Sequence, residues 1–305
     1  MLPVVIGITS AFIFGAADFF GGLGSKRISP LRVTAVSGAV GLCVLVLGYL
    51  VIGGTWSWNA VLLGALSGVT GALAISLLYA CLAIGPMSIL SPLTAVVSAI
   101  VPLSVGLASG ETLGGIGYLA IVLALVAVIL VGFVPEKNAV RPTLRGVLMA
   151  IGSGTMIGMF LVIIDLTPDN SGLIPLMFNR AVNSSLLFAT VGILAVIAHR
   201  QVGRSLNHAA LPASRLMVRM PVPETRGWRA GLKFAVLCGL VDSIANAGLL
   251  LGLRLGELSV MSVLTALYPA GTIVLAAIVL KERIAPVQYL GLGLAISAGA
   301  MFALA

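Results

Sequence analysis

Apolar residues in this chain do not alternate with polar ones; they run in long stretches separated by short polar connectors. A helix needs about 20 predominantly apolar residues to cross a bilayer. The charge-poor stretches fall at 2–23, 33–53, 59–83, 88–108, 114–134, 144–165, 173–198, 227–253, 258–280 and 285–304, which predicts about ten membrane spans. Backbone polar groups cannot be left bare in hydrocarbon, so these spans must be helices; a closed barrel would show shorter, alternating segments. The expected fold class is an all-α membrane protein. Pro30, Gly85-Pro86, Gly114-Gly115, Pro142 and Pro286 punctuate the short connectors. One connector, 199–226, is long and basic, carries Pro212, Pro221 and Pro223, and reads as a solvated loop. A turn of interfacial helix around Arg215 to Met220 is the alternative.

An internal repeat organises the ten spans. At an offset of 171 residues, as from Gly68 to Gly239, the third to fifth spans match the eighth to tenth without a gap. Ser88, Ser91, Thr94, Glu111 and Tyr118 pair with Ser259, Ser262, Thr265, Glu282 and Tyr289, and polar matches of this kind are harder to reach by chance than Leu or Ala. The division that follows is a first five-helix repeat at 1–134, a linker at 135–143, and a second repeat at 144–305 containing the long basic loop. An odd number of helices per half forces the two halves into opposite orientations.

The basic residues test that inversion. Lys26, Arg27 and Arg32 follow the first span, whereas the connector after the sixth holds Asp165 and Asp169. Conversely, the connector after the second span is uncharged and its counterpart after the seventh is rich in Arg. All of the 17 Lys and Arg except Arg180 and Arg254 fall in or beside connectors after odd-numbered spans. The positive-inside rule then places those connectors in the cytoplasm and both termini outside, in a multi-pass protein of the inner (plasma) membrane.

Composition removes several function classes. Apolar residues make up 60% and charged residues 9%, and mean hydropathy is +1.19, whereas soluble domains carry about 25% charged residues. The net charge of +8 sits in connectors, not on an aromatic-interleaved surface, so nucleic acid is not the expected partner. Cys43, Cys81 and Cys238 lie in apolar runs and read as buried small hydrophobes. His199 and His208 lack a cluster of partners, so neither a metal site nor any other cofactor is expected. No phosphate-cradling Gly-x-x-x-x-Gly-Lys-Ser/Thr loop occurs, which argues against pumping driven by a nucleotide on this chain.

Ionisable groups within membrane spans are costly and need a reason. Asp242 lies near the middle of the eighth span with Asn246 one turn along the same face, and is the leading candidate for a proton-coupling or solute-contacting group. Arg180, with Asn179 and Asn183, forms a polar face on the seventh span and would either clamp an anionic solute group or neutralise Asp242. Asp18 either lines a cavity or pairs with Lys26 or Arg27. Tyr79, Thr94, Ser98, Thr265 and Tyr268 add hydroxyls, with Thr94 and Thr265 related by the repeat, although Ser and Thr in membrane helices most often bond to a backbone carbonyl. Pro92, Pro102 and Pro269 mark expected interruptions of matching helices, a feature of transport sites. Gly64 with Gly68 and Gly154 with Gly158 read as close-packing seams within the chain. Glu111 and Glu282, at helix ends, read as interface anchors or caps on neighbouring amides, outside the site.

The pattern resembles the drug/metabolite transporter superfamily, specifically its ten-helix EamA-type members. Tyr79, Gly85-Pro86, Ser91-Pro92-Leu93, Pro102 and Gly110-Glu111 carry the likeness in the first half. Gly256-Glu257-Leu258-Ser259, Tyr268-Pro269, Lys281-Glu282-Arg283-Ile284 and a Gly-rich last helix carry it in the second. The chain departs from the pattern in its long Arg-rich loop and in Ser37, where the family often has Arg; Arg180 fills the corresponding place in the second half. Family members are often described with cytoplasmic termini, whereas the charges here place both outside. The resemblance implies a secondary transporter working by alternating access, exporting or exchanging a small metabolite or drug-like solute from a site between the halves; the midplane Asp242 makes protons the candidate coupling ion. The chain would work as a monomer or homodimer in the bilayer. The competing readings are a membrane-embedded enzyme acting on lipid-linked substrates, for which no catalytic constellation is visible, and a channel, which would favour a continuous polar stripe.

Overall fold

The computed structural model describes residues 1–84, 87–132, 142–208 and 228–304. Among them the chain is helical, without strands: α1 Leu2–Ser25, α2 Pro30–Ile52, α3 Trp58–Ile84, α4 Met87–Ala108, α5 Gly115–Gly132, α6 Leu144–Asp165, α7 Ile174–His208, α8 Trp228–Leu255, α9 Leu258–Thr265, α10 Tyr268–Val279 and α11 Pro286–Leu304. Nine stretches among the described residues are long and apolar enough to cross a membrane, with α9 and α10 counted together. The tenth long helix, α7, carries Asn179, Arg180, Asn183, Ser184 and Ser185 in its first part and the polar stretch from His199 to His208 at its end. Proline opens five helices, at Pro3, Pro30, Pro175, Pro269 and Pro286, where its fixed φ suits the first turn and its missing N–H costs nothing.

Large apolar side chains cover the outside. Leu50, Val51, Leu62, Ile193, Leu290 and Ile296 are all exposed, as expected where hydrocarbon is the solvent. Small residues hold the seams between helices, since lipid gives apolar helices little reason to associate beyond close packing. Gly68 of α3 meets the backbone of Asn179 on α7, and its repeat mate Gly239 of α8 meets the backbone of Ser37 on α2; at both, an added Cβ would collide with a carbonyl. Gly64 also faces α7, and Gly154 and Gly158 face α4, so the expected close-packing spacings are seams within this chain. Cys43, expected to be buried, is exposed on α2, while Cys81 is buried.

Two boundaries differ from the sequence reading. The seventh helix continues to His208, well into the segment read as loop; the first proline beyond it is Pro212, and nothing before that residue lacks an N–H. The rest of the basic loop, including the suggested turn at 215–220, lies outside the described residues, as do Gly85-Pro86 and most of the linker. The expectation of interrupted helices in both halves holds in one. The ninth span breaks between Thr265 and Tyr268, ahead of Pro269, whereas α4 runs unbroken through Pro92 and Pro102. A membrane proline removes one backbone bond, and neighbouring packing decides whether the helix parts.

α1 lies against α8 and the α9–α10 span, and α6 lies against α3 and α4. α2 contacts α7 and α8, α7 contacts α2 and α3, α5 lies on α11, and α4 on α9. At one end of the bundle, Glu111 beyond α4 accepts hydrogen bonds from Leu258 N–H at 2.8 Å and Ser259 N–H at 2.9 Å. These are donors that the start of α9 leaves without intrahelical partners, so Glu111 caps a neighbouring helix. At the same end Thr55 N–H donates to the Asn170 carbonyl at 2.8 Å. Arg254 there bridges the Thr167 carbonyl and hydroxyl, the Pro168 carbonyl and Asp169. At the other end Ile28 packs on Ala235, and the Arg27 guanidinium lies 5.6 Å above the ring centre of Phe234.

Candidate functional site

Two adjoining cavities occupy the middle of the bundle, of about 230 Å³ and 210 Å³. Phe14 of α1 with Ile157 and Phe160 of α6 line both, so they are two lobes of one site. The first lobe holds Asp18 from α1, Ser98 from α4, Ser262 and Thr265 from α9 and Tyr268 at the start of α10. The second holds Asn179, Arg180 and Asn183 from α7 and Asp242 and Asn246 from α8.

The second lobe is internally satisfied. Arg180 forms an ion pair and hydrogen bond with Asp242. Asn246 donates to the Asp242 backbone carbonyl at 2.8 Å, and Asn179 donates to the Ser67 hydroxyl at 2.8 Å. The i to i+4 spacing on α8 puts Asp242 and Asn246 on one face, and the close approach at Gly239 brings that face toward α2 and α7. Removing the Cβ at Gly71, the repeat position of Asp242, leaves room for the Asn183 amide.

The first lobe is different. Asp18 is exposed and lines the first lobe. Among the described residues it forms no ion pair, and the suggested partner Arg27 sits on Phe234 instead. The hydroxyls beside it donate to their own helices: Ser98 to the Ala95 carbonyl at 2.8 Å, Ser262 to Ser259 at 2.9 Å and Thr265 to Met261 at 2.7 Å. Such back-bonded hydroxyls present lone pairs, not protons, to the cavity.

The structure thus brings Asp242, Asn246, Arg180 and Asn183 into one lobe and Asp18, Ser98, Thr265 and Tyr268 into the other. Thr94 joins neither. It is buried and donates to the Leu90 and Ala150 carbonyls at 2.9 and 3.2 Å, tying α4 to α6. The side chain of Tyr79 lies outside the described set. Phe14, Ile157 and Phe160 were missed, because an apolar residue in an apolar span carries no local mark. Ser262 was visible through its pairing with Ser91, yet only the second-half member faces the cavity.

A membrane bundle whose internal cavity is lined by one broken span and by intramembrane ionisable groups has the architecture of a membrane transporter. Residues 144–304, over half of the chain, match the EamA-like transporter family, and the chain belongs to that family. A solved crystal structure, described only as that of a protein, is 15% identical, with 99% of this chain and 96% of that one covered and a TM-score of 0.71. That likeness establishes a shared fold. No curated protein matches the sequence.

Proposed function

We propose that this chain is a secondary carrier for a small metabolite or drug-like solute, working by alternating access between two inverted halves, 1–134 and 144–305. The observation that carries the reading is the pattern of helix packing. Exchanging α1 with α6, α2 with α7, α3 with α8, α4 with the α9–α10 span and α5 with α11 turns the principal contacts into themselves. The orientation agrees, because Glu111 follows the end of α4 and bonds to the start of α9, which is α4's repeat mate. Inverted halves have two related arrangements, one open at each end, and a solute site at their junction is exposed to one side at a time.

Glu111 is the latch that holds one end closed. The offset that relates Glu111 to Glu282 also relates Leu258 and Ser259 to Met87 and Ser88, the first residues of α4. Glu282, exposed in this arrangement, is the latch of the opposite one. Protons are the coupling ion, held on the cavity carboxylates Asp242 and Asp18, and the direction is export or exchange. The basic connectors face the cytoplasm and both termini face outward.

The test uses a background lacking Cys43, Cys81 and Cys238, with Ser98→Cys as a reporter in the cavity and an impermeant thiol reagent applied from each side of proteoliposomes. Glu111→Ala raises labelling from the α9 end and Glu282→Ala raises it from the opposite end. Shifts in the same direction for both variants would refute the paired latches. Counterflow of a preloaded solute separates a carrier from a channel, and labelling of Ala210→Cys from outside intact cells would overturn the assigned topology.

A further inference from the structure

The charge and hydrogen-bonding character of the cavity narrow the solute, on the reading that this cavity is the transport site. We infer that the solute is a monovalent organic cation with an apolar body, its charged end held by Asp18 and its body set against Phe14, Phe160 and Tyr268.

Three formal charges line the two lobes: Asp18, Asp242 and Arg180. The last two are bonded to one another, which leaves the lining with one negative charge, on Asp18. A solute entering the first lobe displaces the water that solvates this carboxylate. A neutral body leaves the charge desolvated and unanswered, and an anion adds repulsion from two carboxylates while the one guanidinium is already engaged. A cation restores the lost interaction.

The hydroxyls point the same way. Ser98, Ser262 and Thr265 have spent their protons on backbone carbonyls, so the polar atoms they offer are acceptors, matched by an N–H or by the positive rim of an alkylammonium group. Apart from the Tyr268 hydroxyl, the remaining wall of the first lobe is apolar and aromatic, and the face of an aromatic ring attracts a cation. Size adds a constraint. Each lobe, at 230 Å³ and 210 Å³, is below the roughly 300 Å³ at which small-molecule pockets usually begin. The solute therefore reaches across Phe14 and Phe160 into the second lobe, where the Asn246 and Asn183 amides meet its far end.

Three phenylalkyl probes test this on the full chain in lipid nanodiscs: 4-phenylbutyltrimethylammonium, its uncharged carbon isostere with a tert-butyl head, and the anion 4-phenylbutyrate. The ammonium probe binds at least tenfold more tightly than the isostere in calorimetry, and the carboxylate more weakly than either. Asp18→Asn loses at least tenfold of the ammonium affinity and leaves that of the isostere unchanged, while Asp18→Glu retains the ammonium preference and guards against a folding defect. Equal binding of ammonium and isostere, tighter binding of the carboxylate, or no binding of the ammonium overturns the inference. Protection of Ser98→Cys from alkylation separates this from failure of the site itself. If the isostere or carboxylate protects best, the cavity stands and the cation falls. If binding probes protect nothing, the cavity is not the site.

Discussion

Asp242 and Asp18 sit in adjoining lobes, share Phe14, Ile157 and Phe160 as walls, and differ in what faces them. Asp242 meets Arg180 from the neighbouring helix of the same half, with Asn246 one turn away. Asp18 shares its lobe with the acceptor oxygens of Ser98, Ser262 and Thr265 and with the rings of Phe14, Phe160 and Tyr268. Asp242 has a cation bonded to it, whereas Asp18, among the described residues, has none. The two lobes thus differ in whether a cation sits beside the carboxylate, and that difference can be broken from either side.

Arg180→Ala should have the largest effect on the fold. It leaves Asp242 without its cation in a mostly enclosed lobe, and breaking such a pair costs about 3 kcal/mol or more. A drop in melting temperature of purified protein, larger than for any single change in the first lobe, is the expected result. Replacing both partners, as Arg180→Met with Asp242→Leu, should recover most of that loss, to within about 1 kcal/mol of the parent, because an apolar pair needs no compensation. The same double variant should lose pH-driven uptake, and retention of that uptake would remove Asp242 from proton coupling. Asp18→Asn should change stability least, within about 0.5 kcal/mol, while abolishing transport of organic cations. A large melting shift in Asp18→Asn would mean that Asp18 has a structural partner and that the contrast between lobes is wrong.

The repeat misleads when used as a guide to the site. Thr94 and Thr265 match in register, yet Thr265 lines the cavity and Thr94 is a strut to α6. Asp242 and its mate Gly71 share a lobe, one supplying a charge and the other the space beside it. Repeated positions occupy related places in the fold, and their chemistry is free to diverge.

What the sequence determined by itself was the membrane character, the limits of most spans and the family. Transfer of a side chain from water to hydrocarbon is a local property, so a window of about 20 residues suffices to read it. Glu111 as a cap was also legible, since a carboxylate at a helix end has few other uses there. Tertiary structure alone decided that Pro269 parts its helix while Pro92 and Pro102 do not, and that Arg180 turns to Asp242. It also decided that Phe14 and Phe160 wall the cavity and that Asp18 is left facing it. Each of those outcomes depends on which helix lies opposite, a contact between residues far apart in the chain that no local pattern records.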